Sequence, residues 1–312
     1  MSILVAGSAN LDFVVRAPTI PAPGETVLGH GFRTFPGGKG ANQAVACART
    51  GGADTRMLLA LGDDAFAAPL EASLREAGVA LHIVRDSAAA TGTAFICVSD
   101  RGDNAITVAP GANASLRPEH LPSLAGVTHL LLQLETPLDS VMAYARAAKA
   151  AGVSVVLNAA PARALPEALL DALDILVVNE GELAAVSGSS GHVADLLAGL
   201  RVPCVVVTLG GRGACARANG QFMLQAAFVV EPVDTTAAGD TFCGAMTAAL
   251  GLKATLRDAL RFASGAAALA CTRPGAQASI PTRAEVNDFL RSHDGDIPQD
   301  LRALAAYCGL PA

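Results

Sequence analysis

The run Asp234-Thr235-Thr236-Ala237-Ala238-Gly239-Asp240-Thr241-Phe242-Cys243-Gly244 concentrates what is needed to move a negatively charged group. Small residues lead into a helix predicted over Thr241–Gly251. Free backbone N–H groups then point outward, with the positive end of the helix dipole behind them. Such a turn stabilises a phosphoryl group as charge shifts towards its leaving group. A carboxylate there, Asp240, is placed to take a proton from an attacking hydroxyl. The plainer reading makes Asp240 the N-cap of the helix.

A second run, Phe35-Pro36-Gly37-Gly38-Lys39-Gly40-Ala41-Asn42-Gln43-Ala44, allows a ligand close to the backbone and adds Lys39 and Asn42 at a helix start. It is not a Walker A loop, because Gly40 follows Lys39 and no Ser or Thr is placed for Mg²⁺; a hydroxyl-rich sugar suits the same donors. Asn10 and Asp12 follow the first apolar run, where they can grip vicinal hydroxyls or form a turn. Asn179-Glu180-Gly181-Glu182 can hold the hydration shell of Mg²⁺ or form a capping box, and the two are compatible. Thr208-Leu209-Gly210-Gly211-Arg212-Gly213 is a Gly-rich turn suited to phosphates. Glu135 in Gln133-Leu134-Glu135 stands at a strand end, where it can accept from a hydroxyl.

These residues need a scaffold that brings strand ends together. Apolar runs predict strands over Ile3–Gly7, Arg56–Leu61, His129–Leu134, Val153–Asn158, Ile175–Val178 and Cys204–Leu209. Helices are predicted near Gly40–Thr50, Asp64–Ala77, Leu138–Ala151, Glu180–Val186, Ala194–Leu200 and Leu256–Cys271. Continuous apolar strands alternating with helices imply a parallel sheet covered on both faces, with ligands beyond the carboxyl ends of its strands. Asp12–Arg33 and Thr93–Val108 alternate apolar and polar residues, and are expected to form antiparallel strands apart from that sheet, as a lid or an edge hairpin. A Gly- and Pro-containing loop follows at Arg273–Pro281, and a short helix is expected in the tail after Asp294.

The chain has 312 residues, 52% hydrophobic and 16% charged, enough to bury a large core. A net charge of −6 argues against nucleic acid as the main partner. No stretch reaches the roughly 18 apolar residues of a membrane span, and the first residues do not have the character of a signal peptide. Seven Cys, scattered singly, read as reduced thiols. The expectation is a cytoplasmic protein with no membrane or nucleic-acid partner.

In this order the segments resemble the ribokinase-like (PfkB-type) carbohydrate kinase family, from about Ile3 to Leu290. The Gly-Gly-Lys-Gly-Ala-Asn and Asp-Thr-Thr-Ala-Ala-Gly-Asp runs are its specific marks. The resemblance implies a three-layer α/β/α fold with a mainly parallel central sheet and a small β-sheet lid. It implies a kinase domain over residues 1–293 with the lid inserted, a tail over 294–312, and a homodimer formed through the lids. It further implies that Asp240 deprotonates the sugar hydroxyl, with Ala237, Ala238 and Gly239 as the anion hole for the γ-phosphate. Asn10, Asp12, Gly38, Lys39, Asn42 and Glu135 correspond to sugar-contacting positions. Asn179, Glu182, Thr208, Gly210 and Gly213 correspond to positions for ATP and Mg²⁺. A site for an activating K⁺ corresponds to Asp234, Thr236, Ala270, Arg273, Gly275 and Ser279, mostly through backbone carbonyls.

Pro23-Gly24-Glu25-Thr26, Gly111-Ala112-Asn113-Ala114 and Gly275-Ala276-Gln277 followed by Ser279 are similar to the branch that phosphorylates ribose at O5. Asn158-Ala159 departs from that branch, where Pro tends to follow the Asn, and the departure bears on loop stiffness. Other readings are a related kinase for 2-deoxyribose, fructose, a nucleoside or pseudouridine, and a non-catalytic sugar sensor on the same fold. A Rossmann dehydrogenase is disfavoured by the broken glycine fingerprint at Gly7-Ser8-Ala9.

Overall fold

The structure, a computed structural model, describes residues 2–293 and 298–311. Of the tail expected after Asp294, residues 294–297 and 312 lie outside the described residues. In chain order the elements begin with β1 (Ser2–Ala6), β2 (Asn10–Ala17), β3 (Gly31–Gly37), α1 (Lys39–Val45), β4 (Asp54–Gly62), α2 (Ala67–Glu76) and β5 (Ala80–Asp86). Next come β6 (Thr93–Ser99), β7 (Asn104–Ala109), β8 (Val127–Leu132), α3 (Leu138–Ala150), β9 (Ser154–Asn158), α4 (Glu167–Leu170) and β10 (Ile175–Asn179). Then follow α5 (Glu180–Ser187), α6 (Val193–Gly199), β11 (Cys204–Thr208), β12 (Gly213–Ala218) and β13 (Gln221–Ala226). The chain finishes with α7 (Ala238–Gly251), α8 (Leu256–Cys271), α9 (Arg283–Ser292) and α10 (Pro298–Cys308).

The main sheet runs β13-β12-β11-β10-β9-β8-β1-β4-β5. From β11 to β5 every pairing is parallel, and β12 and β13 close one edge as an antiparallel hairpin. Side-chain alternation divides each strand between two cores. On β1, Ile3 and Val5 join one apolar layer and Leu4 and Ala6 the other; on β11, Val206 parts from Val205 and Val207 in the same way. The first layer is completed by α1, α2, α7, α8 and α9, the second by α3, α4, α5, α6 and α10. This is the three-layer α/β/α arrangement, built from apolar strands that Ala-rich helices cover on both faces.

A separate four-stranded sheet has the order β3-β2-β6-β7. The expectation of antiparallel strands holds within each hairpin, β2–β3 and β6–β7, but β2 and β6 run parallel where the hairpins join. β5, β12 and β13 were not predicted as strands. They lie at the edges of the main sheet, where short alternating segments lack the continuous apolar run of a central strand.

The helix expected over Gly40–Thr50 is α1 followed by a wider π-type turn at Ala46–Thr50, marked by Gly51 N–H donating to Ala46 O at 3.0 Å. There α7 packs closest. A Cβ on Gly51 would lie 2.0 Å from Ala248 Cβ, and one on Gly244 would lie 2.5 Å from Gln43 O. Small residues thus let α1 and α7 approach, and that approach sets the site.

Candidate active site

The turn before α7 carries the strongest sequence signal, and the structure corrects its geometry. The helix begins at Ala238, earlier than the predicted Thr241, with Ala237 at its cap in the left-handed region (φ 59°). Asp240 is therefore a first-turn residue and not the N-cap, and its side chain does not serve its own backbone. Oδ2 accepts from Asn42 Nδ2 at 2.9 Å and Oδ1 accepts from Gln43 Nε2 at 2.9 Å. Asp240 is buried, while Gly239 is exposed and faces open space. A fixed carboxylate thus stands beside a helix N-terminus where Ala238 N–H is taken by Thr235 O at 3.2 Å and the exposed backbone at Gly239 is open to an anion.

The amides form a chain. Gln43 Nε2 also donates to Asn158 Oδ1 at 3.0 Å, and Gln133 Nε2 donates to Gln43 Oε1 at 2.6 Å. Gln43 and Asn158 were not picked out as site residues by sequence reasoning. The available signal was that Gln43 adjoins Asn42 and that Asn158 ends an apolar strand. Asn42 Oδ1 is buried with no partner among the described residues, an acceptor that a ligand hydroxyl would satisfy.

Asn10 and Asp12 belong to β2 itself and not to a turn, two residues apart and so on one face of the strand. Asn113 sets the Asn10 side chain, donating through Nδ2 to its Oδ1 at 2.8 Å and accepting from Ala9 N–H at 3.0 Å. Gly38 leads into α1 at φ 89°, where a Cβ would sit 2.7 Å from Asn10 N, so only glycine fits between β2 and α1. Glu135, just past β8, accepts through Oε2 from Ser8 Oγ at 2.5 Å and from Lys39 N–H at 3.1 Å. The structure therefore gathers Asn10, Asp12, Gly38, Lys39, Asn42, Glu135 and Asp240 at one place.

Three carboxylates share this place with one cation. The Asp240 charge holds the Lys39 ammonium above its ordinary range, against the opposing effect of burial and with help from Glu135 and Glu182. Lys39 is thus cationic at any working pH. Burial pushes the Asp12 carboxyl up to about 7, and the charges of Glu135 and Asp240 add to the effect.

The remaining predicted residues line the carboxyl ends of β10 and β11, where Asn179 pairs with Thr208. The capping box is real: Asn179 Oδ1 accepts from Glu182 N–H at 2.8 Å, and Glu182 Oε2 accepts from Asn179 N–H at 2.8 Å. Glu182 is buried, which raises its carboxyl above the usual range. The box uses Oε2 of Glu182, and Oε1 lies outside it, an oxygen donor suited to a hydrated Mg²⁺. Gly210 (φ 57°) and Gly213 (φ 118°) shape an open turn after β11.

Asp234 joins two loops, its Oδ1 accepting from Thr236 N–H and its Oδ2 from Gly275 N–H, both at 2.9 Å. Burial raises its carboxyl, but these bonds outweigh that and hold it below the usual range. Ala270 O accepts from Arg273 N–H at 3.2 Å, and Ser279 N–H donates to Ala276 O at 3.3 Å. The Arg273 guanidinium pairs with Glu285 at 2.7 Å, which leaves only its backbone for a cation. Among the described residues no group of three or more His, Cys, Asp or Glu side chains could hold a metal by itself.

The sequence profile of the pfkB family carbohydrate kinases matches residues 1–283. A ribokinase of Haemophilus influenzae is 38% identical over 301 residues, covering 93% of this chain and 98% of that protein. The crystal structure of a Thermotoga maritima ribokinase superposes with a TM-score of 0.86 at 37% identity, covering 93% of this chain and 99% of that one. An Arabidopsis thaliana ribokinase, solved in complex with ribose and ATP, gives a TM-score of 0.84 at 32% identity, with 93% and 98% coverage.

The raised Asp12 carboxyl has a consequence for stability. An unfolded carboxyl titrates near 4, so between about 4 and 7 the folded protein holds a proton that the unfolded chain has lost. Stability therefore falls as pH rises through that window, and the full penalty remains above 7. In thermal melts without ligand, Asp12→Asn is expected to stabilise the protein more at pH 8 than at pH 5, by of order 2 kcal/mol. Parallel melting curves of the two proteins across that range would contradict the assignment.

Proposed function

The chain belongs to the pfkB family of carbohydrate kinases, and from that premise we propose that it transfers the γ-phosphoryl group of ATP to O5 of D-ribose. The observation that carries this reading is Asp240, buried and fixed by two amide donors beside an open helix N-terminus. A sugar hydroxyl at Asp240 meets a proton acceptor, and the backbone from Ala237 to Gly239, open at Gly239, would face a phosphoryl group as it gains negative charge. Ribose is favoured by the relatives' names and by the compact set of Asn10, Asp12 and the unpaired Asn42 Oδ1, each of which suits a vicinal hydroxyl.

In the proposed reaction Asn10, Asp12, Asn42, Lys39 and Glu135 hold the sugar, with the backbone at Gly38 close against it. Asn42 and Gln43 keep Asp240 aimed at the attacking oxygen while it takes the proton. The oxygen attacks the γ-phosphorus in line while the bond from phosphorus to the β,γ-bridging oxygen breaks and ADP leaves, and the first turn of α7 stabilises the equatorial oxygens. Thr208, Gly210 and Gly213 flank the rest of the nucleotide. Mg²⁺, carried through its water shell by Asn179 and Glu182, would neutralise phosphate charge. K⁺ would sit against the loops that Asp234 joins, with carbonyls near Thr236, Ala270, Arg273, Gly275 and Ser279 as its ligands. Ordering those loops would strengthen the field at Ala237–Gly239. The separate sheet would act as a lid that excludes water, in a protein working where ATP and reduced thiols coexist, the cytoplasm.

Coupled ADP release against a panel of pentoses, hexoses and nucleosides is expected to show ribose-dependent turnover, higher in K⁺ than in Na⁺. Turnover confined to another compound would move the substrate, and indifference to the cation would remove the K⁺ site. Asp240→Asn is expected to lower kcat by roughly 10² to 10⁴, the span of a lost general base; near-native turnover in that variant would sink the role given to Asp240.

The lid also supports a homodimer. Phe32 (65% exposed) and Phe95 (55%) stack on Phe13, with centroids 6.1 and 5.4 Å away, and Ile106 on β7 is 55% exposed. An apolar sheet left this open is suited to a second copy of itself. In sedimentation velocity Phe95→Glu is expected to convert a dimer to a monomer. A wild-type chain that sediments as a monomer at micromolar concentration would refute the lid pairing.

A further inference from the structure

The family match ends at residue 283, yet beyond it α10 returns to the body of the protein. Leu304 and Cys308 are buried in the layer that holds Val205, Val207 and Cys215. The helix closes at Gly309 (φ 79°), with Leu310 N–H donating to Ala305 O at 2.9 Å. A Cβ on Gly309 would lie 2.7 Å from His192 Cβ, so the end of α10 is packed against the start of α6. The helix is therefore docked over a continuous apolar contact.

From this platform Tyr307 reaches the ends of β10 and β11. Its hydroxyl donates to the Glu180 carboxylate. The Arg212 guanidinium lies over its ring, with Cζ 4.2 Å from the centroid, and Arg212 also approaches Glu180 at 4.0 Å. Glu180 immediately follows Asn179, and Arg212 stands between Gly210 and Gly213. One side chain from outside the family match thus ties together the two loops that flank the nucleotide side. The second of them needs such support, because a Cβ on Gly210 or Gly211 would meet nothing within 4 Å.

We propose that Tyr307 is a positioning residue for the nucleotide, holding the Gly210–Gly213 turn through Arg212 and Glu180 in a shape that accepts ATP. The inference rests on the reading of Thr208, Gly210 and Gly213 as nucleotide-contacting. A turn without that brace is spread over several conformations, and binding then costs the freedom lost in selecting one of them. In the proposed reaction the sugar is held by Asn10 and Asp12 on β2 and Asn42 on α1, away from this turn, so the brace acts on one substrate only.

The test uses the full chain. Tyr307→Ala is expected to raise KM for ATP roughly tenfold, the scale of one solvent-exposed cation–π contact plus a small net contribution from one solvent-exposed hydrogen bond. The kcat, the KM for ribose and the melting temperature should stay close to wild type. Tyr307→Phe, which keeps the ring under Arg212, should restore much of the loss. In an Arg212→Ala background Tyr307→Ala should cost clearly less than it does alone, since the two side chains share the ring contact. An unchanged KM for ATP, an equal rise in both KM values, or additive effects of the two substitutions would overturn the proposal. If no sugar is turned over, calorimetric titration with ADP separates the questions. Tenfold weaker ADP binding by Tyr307→Ala would keep the brace while the sugar reading fails. Equal binding by both proteins, or no nucleotide binding by wild type, would remove the brace.

Discussion

A buried carboxylate must be hydrogen-bonded, and the two donors to Asp240 come from Asn42 and Gln43, about two hundred residues away in the chain. That one constraint organises much of the rest. It requires α1 and α7 to pack within side-chain reach, which is why glycine stands at 244 and 51, where any larger residue would collide with the opposing helix. It also requires the amides themselves to be fixed. Gln43 is held by Asn158, the last residue of β9, and by Gln133, just past β8, at the ends of two different strands of the main sheet. The proton acceptor is thus oriented by the sheet through a chain of amides, each of which carries no charge of its own.

The electrostatics of the site follow from the same economy of charge. Asp12, Glu135 and Asp240 converge with Lys39 as their shared cation, a surplus of negative charge unsuited to phosphates. The phosphates in the proposed reaction are met instead by the first turn of α7 and the open glycine turn after β11, both of which offer backbone N–H groups. The acidic half suits neutral hydroxyls and the backbone half suits anions. The boundary between them is Asp240, where a hydroxyl and a phosphoryl group would have to meet.

How far the sequence reveals this depends on the range of each interaction. The central strands were legible because each is buried on both faces and reads as a continuous apolar run. The helix-start motif around Asp240 and the Gly-Gly-Lys run were legible because their chemistry is local. The partners of Asp240 were not, because Gln43 and Asn158 are ordinary amides whose meaning arises only when remote segments meet. The position of Asp240 within α7 was misjudged because Ala237, a residue that does not favour positive φ, supplies the cap geometry expected of glycine or a polar residue. The parallel join of β2 and β6 was hidden for a related reason: hairpins announce themselves by turns, whereas a long-range pairing leaves no local mark.

The cost carried by Asp12 gives the separate sheet a role beyond cover. Asp12 stands on β2, the strand of that sheet that first leaves the main body, and in the ligand-free protein burial and two neighbouring carboxylates disfavour its charge. A sugar donating hydroxyl protons to it would supply the hydrogen bonds that the ionised form lacks. Under the proposed chemistry, sugar binding then relieves an unfavourable charge on the strand that the lid is built around, whereas the nucleotide loops after β10 and β11 gain nothing from it. Ordering of the lid would follow the sugar and not the nucleotide, because, of the two, only the sugar would donate hydrogen bonds to the ionised Asp12.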